Sequence, residues 1–98
     1  MPEPGEHRVT IYDRAEGRDH NILSAVVTGA GDLVLEGHDL GPRVEEIFGD
    51  SDYEFWESIK AEHVPLVLLE LIKDRFKTHT EFAAWLKQKG IPSEFTCY

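Results

Sequence analysis

The chain has 98 residues, 41% hydrophobic and 30% charged, with a formal net charge of −9 and one cysteine, Cys97. That length suits one domain, which should bury somewhat over ~60% of the surface its unfolded form exposes. The acidity argues against nucleic acid, whose phosphates attract cations, and a single thiol excludes an internal disulfide and any need for an oxidising compartment.

Residues 1–6, MPEPGE, carry two prolines, a glycine and two acids without periodicity, and read as a loose tail. They lack the basic start and apolar run of a signal peptide. The longest apolar stretch, residues 64–69, falls far short of the ~20 residues of a membrane span. The expectation is a soluble, cytoplasmic single domain over residues 7–98.

Residues 7–14 alternate, with Val9 and Ile11 against Thr10 and Tyr12, and predict a strand. After a polar connector over 15–20, residues 21–28 place Ile22, Leu23, Val26 and Val27 on both faces, as a central strand does. Gly29 and Gly31 supply a tight turn, and residues 33–37 close the hairpin. Residues 41–49 read as a short helical turn with Pro42 near its start and Gly49 just past its end, burying Val44, Ile47 and Phe48. Residues 52–60 make the fourth strand, with Tyr53, Phe55 and Ile59 on one face and Glu54, Trp56 and Ser58 on the other.

The period then changes. Leu66, Leu69, Ile72 and Phe76 recur at helical spacing after Pro65, which predicts that Leu69, Ile72 and Phe76 are buried. Thr78 and Glu81 form a capping box for a second helix whose apolar side is Phe82, Trp85 and Leu86. Gly90 sits where a left-handed cap belongs, and Pro92 stops the helix. Phe95 and Cys97 alternate with Thr96 and Tyr98, which offers a fifth strand. The fold class is α+β: an antiparallel four-stranded sheet, five-stranded if the tail pairs, with two C-terminal helices packed on one face in the order ββββαα.

Catalytic and metal signatures are weak. Asp50, Asp52 and Glu54 resemble the start of a calcium loop, but its sixth and twelfth positions hold Phe55 and Ala61 in place of glycine and glutamate. The histidines, His7, His20, His38, His63 and His79, show no zinc spacing. His38 and Asp39 are adjacent in a strand and point to opposite faces, and Cys97 is one residue from the terminus. The reading is no enzyme, no metal and no cofactor.

The charge distribution says more. Residues 32–62 hold ten of the nineteen carboxylates and only two cations, Arg43 and Lys60. A one-sided field of this kind selects basic partners. Its centre is Glu45, Glu46, Asp50, Asp52, Glu54 and Trp56, a tryptophan among acids of the sort that anchors protein interfaces. The plainer alternative is a hydrated acidic surface, with Trp56 covered by the short helix or the C-terminal tail.

Three stretches together, residues 33–41 (LVLEGHDLG), DYEFW from Asp52 with IKAE from Ile59, and Phe82-x-x-Trp-Leu-x-x-x-Gly-Ile-Pro92, resemble small acidic bacterial proteins, mostly uncharacterised. Some proteins of that look serve as immunity partners of toxins. The resemblance implies a bacterial cytosolic binding protein whose acidic block engages a basic protein, a toxin in the immunity case. The alternative is a small-molecule or peptide-binding module, dimeric in one form, with an aromatic-lined groove.

Overall fold

The computed structural model describes residues 5–49 and 52–98. The fold is α+β. Strands β1 (His7–Glu16), β2 (Asp19–Val27), β3 (Leu33–Leu40) and β4 (Asp52–Ile59) form an antiparallel sheet in the order β1-β2-β3-β4. Each strand pairs with its sequence neighbour, as short connections favour. Helix α1 (Pro42–Phe48) lies between β3 and β4, and a 3-10 turn, Ala61–His63, leads into α2 (Val64–Arg75) and then α3 (His79–Gln88). The order is therefore βββαβαα rather than ββββαα. Residues 42–48 complete a helix because Pro42 presets φ at its start and Gly49, at φ 79°, closes it with an N–H bond to the Glu45 carbonyl. The chain forms two compact units, residues through Pro65 and Leu66–Tyr98.

In the sheet unit, the connector expected over 15–20 shrinks to Gly17 and Arg18, with Gly17 at φ 62°. Both flanking strands lengthen accordingly. A bulge at Ile11 shifts the register, so that Thr10 pairs with Ser24 and Tyr12 with Leu23. The second hairpin closes through Thr28 N–H to the Asp32 carbonyl at 2.8 Å. The Asp32 carboxylate in turn accepts from Ala61 N–H at 2.8 Å, which fixes the end of β4 against this turn. Strand β2 is central, and Ser24 and Val26 on it are buried. Val26 (3% exposed) and Val44 of α1 (7%) are the buried apolar residues among those described. Ile47, expected beside Val44, is exposed. Gly37 of β3 faces Phe55 of β4, and the Phe55 ring fills the space a side chain at 37 would occupy.

In the helical unit, the Thr78 hydroxyl accepts from Glu81 N–H at 3.1 Å, as the capping box predicts, while the Glu81 carboxylate reaches back to Lys77 N–H at 3.0 Å. Gly90 N–H to the Lys87 carbonyl and Ile91 N–H to the Leu86 carbonyl complete a Schellman ending, with Gly90 at φ 71°. Phe76 packs edge-on against Phe82 and Trp85, with ring centroids 5.2 and 5.6 Å apart. The expectation that Leu69 is buried does not hold: it is 63% exposed, and Leu66, Leu68 and Leu71 are exposed with it. Ile72, Phe76, Phe82 and Leu86 are half-buried. Helix α2 is apolar on nearly every side, with Glu70 the sole interruption before Lys73, so periodicity could not single out the side facing α3. Residues 91–98 form no strand, and the sheet stays four-stranded.

Candidate functional site

Alternation along β4 puts Asp52, Glu54, Trp56 and Ser58 on one face of the sheet. Register then decides their neighbours. Trp56 pairs with Glu36 and Glu54 with His38, and on the next strand Glu36 pairs with Ser24 and His38 with Ile22. Arg8 of β1 joins the same face, opposite Val26. Arg8, His38, Glu36, Glu54 and Trp56 line an open concavity of about 280 Å³, with Ile22 and Ser24 beneath. Trp56 is 60% exposed.

Two charge groupings organise this face. The Arg8 guanidinium donates to the Glu36 carboxylate. That hydrogen bond, opposed by desolvation and aided by the Coulombic pull of Glu36 and Glu6, raises the Arg8 guanidinium above its ordinary value. A raised cation contributes its pairing below the unfolded value and loses it only as pH climbs through the folded one. A guanidinium does not deprotonate at working pH, so Arg8 keeps its charge and this pairing does not titrate through it.

The second grouping is His38, Asp52 and Glu54. The His38 Nε2 is 2.6 Å from Asp52 Oδ1 and 3.7 Å from Glu54 Oε1. One donor atom from each of the three lies within 4.8 Å of the others, a set close enough for a divalent cation to share. It supplies one imidazole and two largely exposed carboxylates, with no fourth protein donor among the described residues. His38 is thus oriented across the strands by Asp52, while Asp39, adjacent in sequence, lies on the other face.

Of the residues expected at the site, Asp52, Glu54 and Trp56 come together on this face. Glu45 and Glu46 are exposed on α1 and take no part in the wall of the concavity. Asp50 lies outside the described residues. Sequence reasoning missed Arg8, Glu36 and His38. The hairpin turn at 29–32 was the available signal for part of this, since counting back from it places Ser24 opposite Glu36. Nothing comparable reaches from Glu36 to Trp56, because α1 intervenes.

The chain matches no family model, no curated protein and no solved structure. Among the described residues no helix is long and apolar enough to cross a membrane.

Proposed function

We propose that this chain is a cytoplasmic, immunity-type binding protein that engages a basic protein partner through the Trp56 face of β3 and β4. The observation that carries this reading is the exposure of Trp56 at the wall of a concavity flanked by Glu36 and Glu54. An uncovered indole gives up its hydration readily and provides the buried anchor that slows dissociation. The surrounding carboxylates steer a cationic partner and speed encounter. The acids of α1, Glu45 and Glu46, belong to the steering field rather than to the contact.

The concavity also favours a second reading, a small-molecule or peptide groove. Its volume of about 280 Å³ falls just below the range of roughly 300–1,000 Å³ usual for ligand sites, which ranks that reading behind the first.

The test begins with the neighbouring reading frames, co-expressed with the chain and screened for a complex with a cationic product. Binding kinetics on that complex then separate the roles. Asp52→Lys with Glu54→Lys should slow association at low salt, and the difference from wild type should shrink as salt rises. Trp56→Ala should speed dissociation and depend little on salt. Unchanged association at low salt would reduce the acidic face to a hydrated surface and favour the groove.

A further inference from the structure

Among the described residues that line the Trp56 concavity, Arg8 is the one lysine or arginine. Its guanidinium is bonded to Glu36, the residue that stands directly across from Trp56 in the β3–β4 register. A planar cation, a carboxylate and an exposed indole therefore share one small hollow, with Glu54 on the same wall. Arg8 and Glu36 are 28 residues apart in sequence, so only the sheet register brings them together.

We infer that this hollow is a guanidinium-binding site in which Arg8 is the resident occupant, and that an arginine side chain of a basic partner replaces it. The inference rests on the binding reading above and specifies the chemical group recognised. Guanidinium is favoured over ammonium for two reasons. Its planar fork matches a carboxylate with two parallel N–H bonds, and its flat face stacks on an indole. Trading one guanidinium for another leaves the Glu36 carboxylate paired before and after, and the released Arg8 side chain, already half-exposed, is taken up by water. The net gain comes from Trp56, which an incoming side chain can cover, and from Glu54. Among the described residues the nearest basic side chain to Glu54 is His38, at 3.7 Å, beyond hydrogen-bond length.

The experiment is a calorimetric titration of the full chain with hexa-arginine and hexa-lysine peptides at matched low salt. Hexa-arginine should bind more tightly than hexa-lysine by about two- to fivefold, the range a cation–π contact at an exposed site supports. Trp56→Ala and Glu36→Gln should each weaken hexa-arginine and erase the preference. Arg8→Gln should tighten hexa-arginine by freeing Glu36, and Arg8→Lys should fall between it and wild type. Arg14→Gln is the control: it changes net charge equally, but Arg14 pairs with Asn21 on the opposite face, its guanidinium over the Tyr12 ring.

The fold of each variant is checked by its melting temperature. Should Arg8→Gln unfold, the Arg8→Lys comparison and the side-chain Nε–H resonance of Arg8, which must shift on adding hexa-arginine but not hexa-lysine, carry the same test. Equal binding of both peptides, or equal tightening by Arg14→Gln and Arg8→Gln, overturns the guanidinium site while leaving an acidic binding surface standing. No binding of either peptide at low salt overturns both readings.

Discussion

Gly37 shows how one residue position organises the site. A Cβ built there falls 2.0 Å from Cζ of Phe55, well inside contact distance, so the ring owns the volume next to β3. Gly37→Ala forces the ring and its strand aside, and should cost ~1–3 kcal/mol by overpacking. Equilibrium urea unfolding would read this as a lower midpoint at constant slope. In a Phe55→Ala background the same substitution should cost much less, since the clash is gone. The pairing also matters to function. Phe55 and Trp56 are neighbours on opposite faces, so an aromatic seated on Gly37 fixes the strand that presents the indole.

At the level of elements, the helix ends and the helix faces behave differently. Thr78 satisfies an N–H of the first turn of α3 through its hydroxyl. Thr78→Ala should therefore lower stability by ~1 kcal/mol, measurable by thermal or denaturant unfolding, with Thr78→Ser close to wild type. Leu69 gives the opposite expectation. A buried leucine would cost ~2–5 kcal/mol on truncation, but at 63% exposure Leu69→Ala should cost less than about 1 kcal/mol. Phe76→Ala, which removes the ring shared by Phe82 and Trp85, should exceed it clearly. A loss for Leu69→Ala equal to that for Phe76→Ala would place Leu69 in a packed contact after all.

Across the whole molecule, charge is the dominant long-range term. Ten carboxylates against two cations over residues 32–62 repel one another in the folded chain more than in the expanded one. Raising sodium chloride from low to physiological strength and beyond should therefore raise the melting temperature, as screening shortens the reach of the repulsion. A melting temperature that falls with salt would mean that local pairs such as Arg8–Glu36 outweigh the net field. The sheet ladders and the capped ends of α3 are hydrogen bonds of the chain itself, and Cys97 is its one cysteine. Melts of reduced protein with and without chelator should superimpose. A drop of several degrees on adding chelator would instead assign a structural cation to His38, Asp52 and Glu54.

What the sequence determined by itself was local. Alternation marked the four strands, Pro42 and Gly49 bounded α1, and Thr78, Glu81 and Gly90 bounded α3, because those signals act within a turn or a pleat of the residues that carry them. It also located the acidic block and its tryptophan, since charge and composition are read without any fold. The tertiary structure alone decided that Trp56 is exposed opposite Glu36, that Arg8 reaches Glu36 from the far side of β2, and that Leu69 is exposed on α2. Each of these depends on register or helix phase across intervening segments. A shift of one residue there reverses every face without altering any local pattern.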